Sequence, residues 1–283
     1  MWATPDDPAV VRLMRAAHTS ACSVLDADPE HPAREAWGWH GRTLGKPVTT
    51  PRGPAWLRVA CAPTGTIVGT FWNGTVDAQR SLPKSIPRPQ LLRWHDWTSH
   101  TWTYRAELHE HVDAPTAAPH AVITTSLDLP ATWWTAIRTA LDTITTVPTT
   151  RVTIQPGFLA WAMPHYLGIS ASDHLGPAWT TAHGDFHLAN LCAPRLTILD
   201  WEGWGLAPPS YDAATLHSYS LLAPDTTTHI NRELAHLLDT TTGRHAELIV
   251  ITELLHAADQ GINPTLTRPL RGRAETILGR STA

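Results

Sequence analysis

Residues 181 to 210 hold the side chains of this chain that are best suited to chemistry. Asp185, Asn190 and Asp200 place two carboxylates and a carboxamide in the segments HGDFHLAN and LTILDWE. Mg²⁺ prefers such oxygen donors, and proteins usually bind it through one or two carboxylates together with phosphate oxygens. Phosphoryl transfer also needs a base that takes the proton of the acceptor hydroxyl. The pattern therefore predicts a phosphoryl-transfer site with Asp185 as the base and Asn190 and Asp200 as the metal ligands.

The elements around these residues are expected to bring them together. TTAH reads as a short strand and GDFHLAN as a loop, and LCAPRLTIL has the apolar texture of a tight hairpin. Such a hairpin would return Asp200 to the same edge as Asn190. An alternative stays open, because Asp and Asn also cap ordinary turns.

The first half of the chain reads as one helix followed by strands. Apolar residues recur with helical spacing from Pro8, and Asp7 is a suitable N-cap. Residues 34–72 alternate short β-forming runs with Gly and Pro, which predicts an antiparallel meander of three to five strands. The remaining predictions are a loop over 73–90, a short helix over 89–97, and strands over 102–112 and 120–127.

The second half reads as mostly helical. ATWWTAIRTALDTIT carries its large apolar residues on one helical face, and further helical runs follow near 211–222, 227–238, 246–259 and 270–278. The SLDLP segment, residues 126–130, is a natural boundary between the two textures. The sequence therefore predicts two domains, residues 1–128 and 129–283.

Composition narrows the class of protein. Hydrophobic residues make up 42% and charged residues 16% of 283 residues, as is typical of a globular chain, and a formal charge of −4 argues against a nucleic-acid partner. Cys22, Cys61 and Cys192 lack the spacing of a disulfide framework or a zinc site. No segment resembles a secretory leader or a membrane span. We expect a cytoplasmic protein without a membrane partner.

HGDFHLAN followed by ILDWE resembles the catalytic loop and metal-binding segment of the aminoglycoside phosphotransferase family, whose fold is like that of protein kinases. The resemblance implies an α+β bilobal fold, with an antiparallel sheet in a β-rich N-terminal lobe and a mostly α-helical C-terminal lobe. It implies Asp185 as catalytic base, with Asn190 and Asp200 as metal ligands. His183 would support the loop, and Asp212 would tie a helix start to it.

The same resemblance implies ATP and Mg²⁺ as cofactors and a hydroxyl group of a small molecule as the phosphate acceptor. A kinase-like fold also places a lysine on its third strand, where it holds the nucleotide phosphates. Here the strand AWLRV offers Arg58 instead, with Lys46 as the rival candidate and a plain surface arginine as the alternative. Gly41, with Gly38 and Gly45, is expected in a turn that covers the phosphates.

Two other functions are kept open by the residues. The missing strand lysine, and the absence of Glu from the helix predicted over 89–97, favour a kinase-like protein that binds nucleotide or regulates a partner without catalysis. The histidines of HGDFH, with His165 and His174 nearby, suggest metal-dependent hydrolysis. For a phosphotransferase, the sequence does not identify the acceptor, and sugars, amino alcohols, antibiotics and other metabolites all stay candidates.

Overall fold

The chain divides into two units, one built around an antiparallel sheet and the other from helices. The structure is a computed structural model that describes residues 4–30, 34–67, 69–173 and 178–279. Unit 1 comprises Met1–Arg80 and Arg88–Ala114, and unit 2 comprises Ser81–Pro87 and Pro115–Ala283. The division into domains of residues 1–128 and 129–283, each folding independently, stays a prediction.

The sheet of unit 1 has six strands, β1 (Asp28–Pro29), β2 (Ala36–Trp37), β3 (Thr43–Thr50), β4 (Gly53–Pro63), β5 (Leu91–Ser99) and β6 (Trp102–Glu110). Their order in the sheet is β1-β3-β4-β6-β5, with β2 also paired to β3. All of these pairings are antiparallel. Short helices α2 (Gly69–Trp72) and α3 (Gly74–Ser81) lie between β4 and β5 in the chain.

Helix α1 (Pro8–Leu25) covers one face of this sheet. Its buried residues, among them Met14 and Leu25, join a core with Leu57 and Val59 of β4. The helix begins where the sequence predicts, because the Asp7 carboxylate accepts a hydrogen bond of 2.8 Å from the Ala9 amide. The amphipathic pattern that predicts α1 is therefore the pattern that packs it on the sheet.

Replacing Asp7 with alanine should lower the free energy of unfolding by about 1 kcal/mol, because one helix-terminal amide loses its partner. Urea denaturation at neutral pH measures this change. Asp6→Ala is the matched control, since Asp6 is exposed and lies one residue before the cap. Equal stability of Asp7→Ala and Asp6→Ala would contradict the capping role.

Unit 2 is mostly helical. Its helices are α4 (Ala131–Thr145), α5 (Pro156–Leu167), α6 (Tyr211–Ser220), α7 (Pro224–Glu233), α8 (Ala235–Leu238), α9 (Thr241–Asp259) and α10 (Thr267–Ile277). A small antiparallel pair, β7 (Thr180–Ala182) and β8 (Gly205–Ala207), flanks the predicted site. The helices predicted after residue 130 and the strand predicted at TTAH are confirmed. No helix in the described ranges has the length and apolar character needed to cross a bilayer.

Several predictions for unit 1 are wrong. Residues 74–81 form a helix rather than a loop, and 69–72 form a helix rather than part of a strand. Residues 91–99 form strand β5 rather than a helix, because their backbone pairs with β6 along the edge of the sheet. The described residues 120–127 contain no strand, and the Ile123 amide instead bonds the Tyr219 carbonyl oxygen.

Candidate active site

The loop after β7 is built around a buried histidine. The His183 ring is fully buried; its Nε2 lies 2.8 Å from the Leu199 carbonyl oxygen and its Nδ1 lies 3.2 Å from the Asp185 amide nitrogen. A ring that donates through Nε2 and accepts at Nδ1 is neutral, and burial lowers the pKa of His183 accordingly. His183 thus holds the hairpin and the loop together, which is the supporting role that the sequence suggests.

Asp212, at the start of α6, holds the same loop from the other side. Its carboxylate accepts hydrogen bonds from the His183 amide at 2.7 Å and from the Gly184 amide at 3.0 Å. Gly184 has φ of +91°, and a Cβ there would lie 2.9 Å from the Gly203 carbonyl oxygen. Only glycine suits this turn, and the turn delivers Asp185 to its position.

Asp212→Ala should lower the free energy of unfolding by about 3 kcal/mol, because it leaves two buried amides without an acceptor. It should also reduce turnover, since the loop that carries Asp185 loses its anchor. Urea denaturation and initial rates measure the two effects. Asp225→Ala is the control, because Asp225 bonds only an exposed Ser126 hydroxyl among the described residues. A stability equal to that of the wild type would exclude the anchoring role.

Asp185 is a half-exposed carboxylate between two polar neighbours. Its side chain is 49% exposed, and Oδ1 lies 3.2 Å from Nε2 of His187. The Asn190 amide donates to Oδ2 at 3.1 Å and to the Asp185 carbonyl oxygen at 3.0 Å. Burial acts to raise the pKa of Asp185, but its contact with the His187 ring and the hydrogen bond from Asn190 outweigh this effect, so the pKa lies below its ordinary value. The group is ionised at neutral pH.

The sequence does not identify His187 as a neighbour of Asp185. Its ring is buried and packs edge-on against Tyr219 of α6 at 5.1 Å between centroids. The only sequence signal is its place two residues after the predicted base. The backbone N–H of Asn190 donates a hydrogen bond of 2.8 Å to the His187 carbonyl oxygen. The turn closed by this bond places the His187 ring beside Asp185.

The predicted hairpin brings Asp200 next to Asn190. Leu191 and Ile198 form an antiparallel bridge, and the Leu199 amide donates to the Asn190 carbonyl oxygen at 2.8 Å. Asp200 follows Leu199 directly and is exposed with φ of +61°, a left-handed conformation that aspartate tolerates better than most residues.

The donor set of this hairpin fits magnesium. Asn190 and Asp200 offer hard oxygen atoms, and a Mg²⁺ ion is usually completed by phosphate oxygens and water rather than by a full protein cage. Within the described ranges, no group of three or more His, Cys, Asp or Glu side chains forms a metal-binding cluster. The described residues therefore provide no ligand set for the zinc-type hydrolysis that the sequence left open. His174 lies outside the described residues.

In unit 1, Arg58 and Lys46 lie on opposite faces of the sheet. Arg58 pairs across strands with Glu107, and Nη1 and Oε2 are 3.1 Å apart. Lys46 is opposite Leu57, a residue of the core under α1, and its Nζ lies 2.8 Å from Glu35. Because opposed residues of antiparallel strands share a face, Lys46 belongs to the helix-covered face and Arg58 to the other.

The predicted glycine turn is present only in part. Gly41 ends the turn between β2 and β3 with φ of +70°, and a Cβ there would lie 2.5 Å from Pro5 and 2.9 Å from Val10. Gly45 lies within β3, where a Cβ would meet the Trp56 ring at 2.7 Å. Gly45 is thus a strand residue that makes room for an indole.

The fold matches solved kinases of small molecules. A thermostable mutant of aminoglycoside phosphotransferase APH(4)-Ia, in complex with ADP and hygromycin B, aligns with a TM-score of 0.63 at 14% identity over 95% of this chain and 99% of that chain. A microcompartment-associated aminopropanol kinase aligns with a TM-score of 0.57 at 14% identity over 92% and 95%. Spectinomycin phosphotransferase APH(9)-Ia, with ADP and spectinomycin, gives 0.56 at 13% over 95% and 92%. These likenesses confirm the predicted α+β, protein-kinase-like fold.

The family is shown by the sequence itself. No curated protein matches the chain. The model of the phosphotransferase enzyme family matches residues 26–248, which span both units and include all three of Asp185, Asn190 and Asp200. The chain therefore belongs to the phosphotransferase enzyme family, and its resemblance to aminoglycoside phosphotransferases is confirmed.

Proposed function

We propose that this protein transfers the γ-phosphoryl group of ATP to a hydroxyl group of a small molecule, with Asp185 as the catalytic base. The observation that carries the proposal is the Asp185 carboxylate, which is ionised, half-exposed and held by His187 and Asn190. An exposed carboxylate on an anchored loop is suited to receive the proton of an acceptor hydroxyl.

The other residues of the loop position this base and bind the metal. Asp185 accepts the hydroxyl proton as the oxygen of the acceptor attacks the γ-phosphorus and the bond from that phosphorus to the bridging oxygen breaks, which releases ADP. The Asn190 amide keeps the carboxylate oriented. His183 and Asp212 fix the backbone from which Asp185 projects. Asn190 and Asp200 would hold Mg²⁺, which supplies positive charge to the phosphate oxygens when it is bound.

Arg58 is the proposed contact of unit 1 with the nucleotide phosphates. An arginine fork binds phosphate oxygens through planar paired hydrogen bonds, and the Arg58 side chain is 18% exposed. Gly41 and Lys46 were the other two residues predicted to bind nucleotide. Both lie on the side of unit 1 that α1 covers, because Gly41 lies next to Val10 and Lys46 is opposite the core residue Leu57. This placement favours Arg58 as the phosphate contact.

The structural relatives support a small-molecule acceptor. They include complexes with hygromycin B and with spectinomycin and a kinase of aminopropanol, all of which are small molecules. ADP in two of those structures agrees with a nucleotide donor. A cytoplasmic location completes the proposal, because ATP is abundant there and the three cysteines are free thiols.

A screen of hydroxyl compounds tests the proposal. Sugars, amino alcohols and antibiotics are incubated with ATP and Mg²⁺, and the phosphorylated product is detected by mass spectrometry with wild type and Asp200→Ala in parallel. We expect a product with the wild type and a strong loss with Asp200→Ala. A wild type that binds no Mg·ATP in calorimetry would contradict the proposal.

The second candidate is a nucleotide-binding module without catalysis. Arg58 on the strand where the family pattern has lysine favours it, since lysine and arginine are not interchangeable. This candidate predicts Mg·ATP binding without any product across the screen. A single phosphorylated product that depends on Asp185 would exclude it.

A further inference from the structure

A buried carboxylate lies in the middle of the sheet of unit 1. Glu107 of β6 is 2% exposed, and its Oε2 lies 3.1 Å from Nη1 of Arg58 and 3.6 Å from Nε2 of His109. Arg105, on the same face of β6, makes two hydrogen bonds of 2.7 and 2.6 Å to Asp96. Among the described ion pairs, Glu107 has Arg58 and His109 as its partners, whereas Arg105 is paired with Asp96.

Glu107 remains ionised in spite of its burial. Removal of a carboxylate from water costs several kcal/mol unless partners replace the lost solvent. Burial acts to raise the pKa of Glu107, but the nearby His109 ring and the charges of Arg58 and Arg105 hold the pKa at about 2. The sheet therefore keeps a permanent negative charge beside Arg58.

The strand pairing fixes the direction of the Arg58 side chain. Arg58 and Glu107 are opposed residues of β4 and β6, so both project from one face of the sheet. The Glu107 carboxylate anchors one edge of a planar group that carries five N–H donors. A guanidinium held in one orientation loses less side-chain freedom when it binds a phosphate.

We propose that Glu107 is the positioning residue that holds Arg58 in the orientation needed to bind the phosphate chain of a nucleoside di- or triphosphate. The inference rests on the proposed function. In the family pattern the orienting glutamate lies on a helix, whereas Glu107 lies on the strand that pairs with the strand of Arg58.

Binding of ADP and of adenosine to the full-length protein tests this role without the need for an acceptor. Calorimetry compares wild type, Glu107→Gln, Arg58→Ala and Glu110→Gln. Glu110 is the matched control, because it lies on β6 and bonds only the Gln90 amide among the described residues. We expect Arg58→Ala and Glu107→Gln to weaken ADP binding by about tenfold or more while adenosine binding is unchanged, and Glu110→Gln to bind both as the wild type does.

The sign of the Glu107→Gln effect separates positioning from simple electrostatics. Removal of a negative charge near a phosphate would by itself strengthen ADP binding. Weaker binding of ADP alone is therefore expected only if Glu107 orients Arg58. Stronger or unchanged ADP binding overturns the proposal, and so does an equal loss for ADP and adenosine, which indicates a purely structural role.

Two further outcomes keep the test decisive. If Glu107→Gln does not fold, Glu107→Asp keeps the charge but withdraws it by one methylene, and it should weaken ADP binding several-fold with adenosine unchanged; unchanged ADP binding would overturn the proposal. If the wild type binds neither ADP nor Mg·ATP, the proposed function fails, and the inference fails with it. A wild type that binds ADP while both Arg58→Ala and Glu107→Gln bind it equally well overturns the inference alone.

Discussion

Asp185→Asn should lower kcat for phosphoryl transfer by about 10²- to 10⁴-fold, the usual contribution of a general base. Asparagine has the size of aspartate but cannot take a proton from the acceptor hydroxyl. The loop should keep its shape, because His183 and Asp212 bond to its backbone rather than to the Asp185 side chain. Initial rates with an acceptor found in the screen measure kcat, and Mg·ATP calorimetry should show an affinity within about twofold of the wild type.

The control for this substitution is Asp142→Asn, a change of the same kind at an exposed position on α4. Its kcat should equal that of the wild type. Turnover by Asp185→Asn at the wild-type rate would remove the assignment of the base. A loss of Mg·ATP binding together with turnover would instead show that the side chain serves nucleotide binding.

The arrangement of the candidate site in unit 2 was predictable because its geometry is mostly local. Asn190 and Asp200 are joined by a hairpin whose apolar run is visible in the sequence, and the Leu199 to Asn190 hydrogen bond closes it as expected. Helices α1 and α4 were predictable for the same reason, since their apolar residues recur with helical spacing and pack on one side.

The rest depends on contacts between distant residues. Arg58 and Glu107 are 49 positions apart, and only the register of β4 on β6 makes them partners. Strand β5 is largely exposed and polar, so no alternation of apolar residues indicates it; its ladder with β6 decides its conformation. The opposite faces of Lys46 and Arg58 likewise follow from the register of β3 on β4 rather than from composition.

A buried ion pair should contribute strongly to the stability of unit 2. Glu247 of α9 is fully buried; Arg273 of α10 donates two hydrogen bonds of 2.7 Å to its carboxylate, and Nδ1 of His217 in α6 lies 3.1 Å from it. These contacts connect three helices, and one of them, α6, carries in its first turn the Asp212 that anchors the loop of Asp185. Burial acts to raise the pKa of Glu247, but the hydrogen bonds and charge of Arg273, together with the nearby His217 ring, outweigh this effect and lower the pKa.

Glu247→Gln should lower the free energy of unfolding by about 3 kcal/mol at pH 7, because Arg273 and His217 lose the buried carboxylate that they contact. A carboxylate whose pKa is lowered on folding stabilises the native state above the ordinary value of 4.5, and this contribution is lost as the pH falls toward the folded pKa. Urea denaturation should therefore show a constant difference between wild type and Glu247→Gln above about pH 5.5 and a smaller one at about pH 3.5.

The matched control is Glu233→Gln, which removes a carboxylate from an arginine pair near the surface. Arg138 and Glu233 are 33% and 21% exposed, so water can replace much of their interaction, and the expected loss is below about 1 kcal/mol. The difference between the two variants measures what burial adds to an otherwise similar pair. Equal losses for Glu247→Gln and Glu233→Gln, or a Glu247→Gln effect that grows as the pH falls, would contradict the role of the ionised Glu247 in holding the three helices together.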